Sequence, residues 1–268
     1  MSMYSSYISE RLEAAVVKAL HGEAPEELRK QLGLRLERVG SSLVSMAAND
    51  PSILLNRSIG IGLDQAATEE EVEAICALYR EVGVDRFFLQ VHPEARPDNI
   101  EVLLQENGLK SYRRWMKFER HGATVPSLET DLDVRKIDGE YVDDFGRIAG
   151  AGFGLTPQAA PLFRGLLNRD EFHLYMTFDG ARPAGTGLLF TDGDSAWLDW
   201  AATDREFRKR GSQRALLARR ITDALDAGCS RLMTCTGEAV PGDPQHSYHN
   251  IEWAGFESKF LRENWIPS

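Results

Sequence analysis

Between Leu198 and Gly228 the chain reads LDWAATDREFRKRGSQRALLARRITDALDAG: an apolar strand-like run, a basic turn closed by one glycine, and a long amphipathic helix. That order constrains the fold strongly. The first-turn N–H groups of a helix have no intrahelical partner, and the helix dipole adds partial positive charge there, so strand, turn and helix start together form an anion site. Gly211 lets the backbone approach a phosphate with no Cβ in between. Arg205, Arg208, Lys209, Arg210 and Arg214 surround that point, in a chain whose formal net charge is -10. A phosphorylated ligand is expected here.

The same residues resemble motif A of the GNAT (GCN5-related N-acetyltransferase) superfamily, which reads Arg or Gln, two residues, Gly, one residue, then Gly or Ala. Here it falls on Arg208, Gly211 and Gln213, and residues 215–221 resemble the helix that follows. Gln213 stands where the family has a small residue, so its side chain is expected to crowd or touch the cofactor. The resemblance implies an α+β fold of two tandem GNAT-like domains, each a mixed, mostly antiparallel sheet flanked by helices. It also implies acetyl-CoA as acyl donor, with its pyrophosphate held by the loop residues Arg208, Lys209, Arg210, Gly211, Ser212 and Gln213. The thioester carbonyl would meet a backbone N–H between Ala201 and Thr203, and Asn250 would lie near the pantetheine amides. Many members place a tyrosine four residues before a Gly-Phe pair as general acid; here that residue is Ile251, so the role does not carry over, and Tyr248 and Asn250 remain as nearby donors. The reaction implied is direct attack by an amine, of a small molecule or a peptide, on the thioester in a ternary complex without a metal. A CoA-binding regulatory module without catalysis is the alternative, and a protein-interaction scaffold with a merely solvated basic turn is a second.

Length and composition set the frame. At 268 residues two domains are the default expectation, and 43% hydrophobic content suits packed cores. No run approaches a membrane-spanning helix, and the acidic N-terminal segment does not read as a signal peptide. Cys76, Cys229 and Cys235 have no CxxC spacing and read as reduced, buried thiols of a cytoplasmic protein. The negative net charge disfavours nucleic acid, and self-association into a homodimer is left open.

The chain reads as two related halves. Helical periodicity over Ile8–Leu20 and Ala24–Leu32 precedes residues 34–46 and 53–63, which alternate or run apolar and are expected as paired strands around Asn49-Asp50-Pro51. Thr68 with Glu71 forms a capping box for a helix ending at Gly83; a strand, a helix stopping at Gly108 and a strand from Leu109 follow. The second half repeats this: strand 197–202, helix to Gly228, strand 231–236, a short helix to Gly255 and a last strand. Superposing the C-caps puts Gly211 opposite Ala66 and the basic turn opposite Leu63-Asp64-Gln65. Glu69, Glu70 and Glu71 then occupy the first-half helix start, where they suit the dipole but repel a pyrophosphate. The expected division is a degenerate domain at 1–120, a linker at 121–130 and a cofactor-binding domain at 131–268.

Two carboxylates are candidate bases. Strand alternation sets Trp197, Asp199 and Ala201 on one face, and a carboxylate in an apolar strand needs a cleft or a partner. Asp199 reads either as a general base or as a cross-strand partner. Glu238, just past the 231–236 strand, is either the rival base or a solvated loop residue. His173, His246 and His249 make no metal constellation, and Gly150, Gly152 and Gly154 are expected to loosen a substrate-side loop.

Overall fold

The computed structural model describes residues 7–127 and 130–268; residues 128 and 129 of the expected linker, and residues 1–6, lie outside the described residues. In the first half α1 (Ile8–Gly22), α2 (Glu26–Leu32), β1 (Leu34–Val39), β2 (Ser42–Ala47), β3 (Arg57–Ile59), α3 (Glu69–Glu81), β4 (Phe88–Val91), α4 (Ile100–Glu106) and β5 (Leu109–His121) follow in order. In the second come β6 (Asp133–Lys136), α5 (Val142–Phe153), a 3-10-helical segment Pro157–Asn168, β7 (Phe172–Asp179), β8 (Arg182–Asp192) and β9 (Ser195–Thr203). Then follow α6 (Ser212–Asp226), β10 (Arg231–Gly237), α7 (His246–Trp253) and β11 (Glu257–Pro267).

Local signals account for most of these elements. Thr68 caps α3, its Oγ1 accepting from the Glu71 N–H at 3.2 Å. The Glu71 carboxylate does not return to the cap; it accepts from Ser41 N–H and the Ser42 hydroxyl instead. Those two residues mark a correction. Residues 34–46 are not one strand but the hairpin β1–β2, closed where Val39 pairs with Ser42. Asn49-Asp50-Pro51 lies in the connection to β3, where Asp50 accepts from Ser52 N–H and from Thr156.

All eleven strands form one sheet, ordered β1-β2-β3-β4-β11-β5-β10-β9-β8-β7-β6. The pairs β3–β4 and β9–β10 are parallel, while the others are antiparallel. The two halves exchange their final strands. β11 lies beside β4, and β5 lies beside β10, so each half closes the sheet of the other. This fold is α+β with two GNAT-like halves on a common, mostly antiparallel sheet.

Helix α1 is shared between two cores. Leu12, Val16 and Leu20 pack with α2, α5, the 3-10 segment and β7–β9. Ala14 and Val17 pack with β2, β3, α3 and α4. Its remaining side carries Glu10 and Glu13, each 1% exposed, onto the central strands. A charge there is tolerable only with partners. Arg262 of β11 supplies them, donating to Glu13 at 2.6 and 3.1 Å and to Glu10 at 3.0 and 3.1 Å. Lys117 of β5 bonds both glutamates, and Arg57 of β3 donates to Glu13 at 2.5 Å. Helices α6 and α7 cover the other face through Leu216, Ile221 and Ile251 against Leu198 and Leu232.

The glycine stretch is a second correction. Gly150 and Gly152 lie inside α5, and Gly154 ends it. A Cβ on Gly152 would come within 2.8 Å of the Ala202 Cβ, so the small residues let α5 lie close on β9.

Candidate active site

The site is made by a fault in β9. Leu188 pairs with Asp199 but Thr186 pairs with Ala202, so Trp200 and Ala201 together oppose Gly187 alone. This is a β-bulge, and Trp200 takes the left-handed φ of 49° within it. The expected alternation therefore breaks: Trp200 joins Trp197 in one core while Leu198 faces the other. Buried Arg220 of α6 holds the fault open by donating to the carbonyls of Leu188 at 3.0 Å and Asp199 at 3.2 Å. Gly187 has no Cβ because that guanidinium fills the space, 2.8 Å from where the atom would be. Burial lowers Arg220 to about 10, which leaves it charged at neutral pH.

Beyond the pair Trp197–Met233, β9 and β10 separate. A cleft of about 1430 Å³ opens between them, and its wall includes Ala201, Thr203, Asn250 and every residue from Arg208 to Gln213. Gly211 caps α6 with φ 84°, in the left-handed region that favours glycine. Arg208 and Lys209 have no side-chain partner among the described residues. Arg210 is spent on Asp179, at 2.9 Å, and on Asp131. The Ser212 hydroxyl is turned inward to Thr177 at 2.7 Å, so Ser212 offers the cleft its N–H rather than its side chain. Asn250 ties α7 to α6: it accepts from Arg214 at 2.9 Å and donates to Gln213 at 2.9 Å. Gln213 is thereby drawn onto Asn250.

A smaller cavity of about 270 Å³ adjoins the cleft, sharing Ala201, Gln213, Gly237 and Ser247 with it. Half-buried Asp199 lines this inner cavity. Its Oδ2 accepts from Trp197 Nε1 at 3.0 Å and its Oδ1 from Trp200 N–H at 2.8 Å. Burial raises its pKa, and the nearby Arg57 guanidinium pulls the other way without cancelling that rise. Glu238 differs. Burial would raise it too, but hydrogen bonds from the Arg114 guanidinium and N–H, both 2.9 Å, outweigh this and hold it low. Of the two carboxylates, Asp199 faces the inner cavity and Glu238 is bound to Arg114. Cys235 also lines the inner cavity, with burial pushing its thiol up to about 12, so it carries little thiolate at neutral pH. Ile251 is buried on the inner wall, and Ser247 sits one helical turn before it where both cavities meet. Tyr248 lines the outer cleft, edge-on to Phe118 with centroids 4.9 Å apart. Among the described residues no group of three or more His, Cys, Asp and Glu is disposed to hold a metal. Likewise, no helix among them is long and apolar enough to cross a membrane.

The sequence reading missed Glu13, Arg57 and Trp115, which the first half contributes to the inner cavity. Arg57 left one trace, as the lone charge between Ile53 and Ile61.

The corresponding opening in the first half is filled. Parallel pairing of β3 with β4 ends at Ile59–Gln90, and the strand beyond is met by the chain at Arg96, whose N–H donates to Gly62 O at 2.9 Å. Arg96 O in turn accepts from Ala67 N–H at 2.7 Å. A Cβ at Gly62, φ +75°, would lie 2.6 Å from the Arg96 carbonyl oxygen. The cap of α3 is Thr68, two residues beyond the superposed Ala66, and three glutamates follow it.

A bulged strand, a splayed parallel pair and a glycine-headed helix on one cleft are the framework of an acyltransferase. Residues 110–241 match the family model described as acetyltransferase (GNAT) domain. The fold of the chain is similar to that of a GCN5-related N-acetyltransferase from Kribbella flavida, with a TM-score of 0.66 at 15% identity over 97% of this chain and 96% of that one. A GCN5-related N-acetyltransferase from Sphaerobacter thermophilus is similar with a TM-score of 0.60 at 14% identity over 96% and 90% of the two chains. A GNAT-family acetyltransferase from Colwellia psychrerythraea gives 0.52 at 19% identity over 97% of each. No curated protein sequence matches the chain.

Proposed function

We propose that this acyltransferase moves an acetyl or other short acyl group from acetyl-CoA to an amine by direct attack in a ternary complex. The observation that carries the reading is the junction of the two cavities: a glycine-headed helix start opens on the outer one and the half-buried Asp199 carboxylate lines the inner one. The free N–H groups at the start of α6, with Arg208 and Lys209, would hold the pyrophosphate. A backbone N–H between Ala201 and Thr203, on the strand edge that β10 has left, would polarise the thioester carbonyl. Asp199 would take the proton as the C–N bond forms and the C–S bond breaks. With Ile251 at the tyrosine position, the Ser247 hydroxyl on the shared wall would serve as donor to the departing thiolate. Glu238 stays the rival base, weakened by its bonds to Arg114. In this reading residues 131–268 bind the cofactor, residues 121–130 join the halves, and residues 1–120 shape the acceptor side of a cytoplasmic enzyme.

Release of free CoA thiol from acetyl-CoA, followed across a panel of amines, tests the reaction. CoA binding without thiol release for any amine would favour the regulatory-module alternative instead. Two further outcomes are expected. Gly211→Asp, which adds a side chain and a negative charge at the helix cap, lowers CoA affinity at least tenfold, about 1.4 kcal/mol. Calorimetry giving unchanged affinity in a folded variant removes the pyrophosphate assignment. Equilibrium dialysis yields one CoA per chain, because Arg96 occupies the first-half opening; two equivalent sites would overturn the degenerate-copy reading.

A further inference from the structure

Three consecutive residues at the head of α6 clear the same corner of the cleft, each by a different device. Gly211 has no side chain to place there. Ser212 turns its hydroxyl away, to Thr177 at 2.7 Å and Thr203 at 3.5 Å. Gln213 is the third, and it depends on a partner. Motif A has Gly or Ala at this position, whereas the half-buried Gln213 lines both the cleft and the inner cavity. Its side chain springs from the second residue of α6, beside first-turn N–H groups that have no intrahelical partner. A long, freely rotating side chain at that place sweeps the space in which an anion meets those groups.

Asn250 of α7 draws it aside. Its Nδ2 donates to Gln213 Oε1 at 2.9 Å, and its Oδ1 accepts from Arg214 Nε at 2.9 Å. The second bond fixes the sense of the first. A guanidinium has donors only, so Asn250 faces Arg214 with its oxygen and keeps its amino group for Gln213. Arg214 is held in turn over the Trp253 ring, 4.8 Å from the centroid, and the buried Ile251 next to Asn250 anchors α7.

Resting on the cofactor reading above, we infer that Asn250 is a positioning residue for CoA that acts through Gln213: it holds that side chain off the helix start, so that the pyrophosphate can reach the backbone N–H groups. Gln213 departs from the small residue of the motif, and Asn250 offsets the departure from 37 residues away. Asn250 then has no need to touch the cofactor itself.

The test is the affinity for CoA, by calorimetry, of Asn250→Ala, Gln213→Ala and the double variant. Both single variants lose the same Asn250–Gln213 bond, yet opposite results are expected. Asn250→Ala frees Gln213 to swing over the helix start and should weaken CoA by about fivefold or more. Gln213→Ala keeps the backbone N–H and removes only the side chain, so it should bind CoA more tightly than Asn250→Ala by about the same factor. The double variant should recover to the affinity of Gln213→Ala, because the side chain that Asn250 restrains is gone. Adenosine 5′-diphosphate, which carries a diphosphate and no pantetheine arm, should lose affinity in Asn250→Ala by the same factor as CoA. Equal weakening in both single variants would reduce the bond to a brace between α6 and α7 and overturn the inference. A double variant no better than Asn250→Ala, with the diphosphate unaffected, would overturn it too and assign Asn250 to the pantetheine amides. Unchanged CoA affinity in Asn250→Ala would do the same without replacing it. Each of these outcomes leaves the cofactor reading intact; wild-type protein that binds no CoA removes that reading and this inference together.

Discussion

Glu13→Gln is expected to lower the melting temperature at neutral pH by about 10 °C. The substitution keeps the side-chain shape and removes one charge. Arg57, Lys117 and Arg262 would then face Glu10 alone in a space where Arg262 and Glu13 are 0% and 1% exposed. Breaking a buried ion pair by removing one partner typically costs about 3–5 kcal/mol, because the other partner stays desolvated and unmatched. For a chain of this size each kcal/mol moves the midpoint by roughly 2–4 °C. The pH dependence has a definite sign. Burial would raise the Glu13 pKa, but Arg262, Lys117 and Arg57 outweigh that and hold it well below the usual range. A carboxylate depressed in the folded state contributes stability above its unfolded pKa, about 4.3, and that contribution is lost as pH falls through the folded value. The gap between wild type and Glu13→Gln should therefore be full at pH 7 and shrink below about pH 4. Thermal melts that coincide at pH 7 would show that this network does not hold the halves together.

Asp199→Asn should reduce kcat/KM about 10²-fold or more at neutral pH, the usual worth of a positioned base. The loss should shrink as pH rises towards the pKa of the acceptor amine, since neutral amine is then supplied by solution. In the wild type the rate should fall on the acid side as Asp199 takes up a proton. Burial places that fall above the ordinary carboxylate range, and the variant should lack it. CoA affinity should hold, because Asp199 lines the inner cavity and not the cleft that bears Gly211. An amide offers one acceptor where the carboxylate met both Trp197 Nε1 and Trp200 N–H, so a stability loss of about 1 kcal/mol is expected as well. A pH–rate profile parallel to wild type, at any amplitude, would end the general-base role and turn attention to Glu238 or a water chain. A fall in melting temperature with a pH-independent loss of activity would leave Asp199 a structural partner.

Much of the fold was legible because its signals are local. Helix caps, the glycines ending α3 and α6 and the basic turn all act within a few residues of themselves. The reading of 34–46 as one strand failed because a two-residue turn at Gly40 and Ser41 divides a segment whose alternation of apolar and polar residues reads as continuous. The glycines of α5 read as a loose loop because nothing in the sequence shows that Ala202 presses against Gly152. Strand alternation misplaced Trp200, since a bulge depends on the partner strand as well as on its own.

The sequence by itself determined the basic, glycine-closed turn at 208–213 ahead of a helix start, the order of elements in each half and the lack of basic residues at the first-half helix start. Each follows from short-range backbone chemistry and charge. Tertiary structure alone decided that β5 and β11 change places, and with them where Arg262 and Lys117 meet Glu10 and Glu13. In sequence those glutamates look like the solvated side of an amphipathic helix. Periodicity records which side of a helix is polar, but not whether that side will meet water or a set of buried cations brought by strands about 100 and 250 residues away. The inner cavity has the same origin, because β3, α1 and β9 are distant along the chain and become neighbours only in the common sheet.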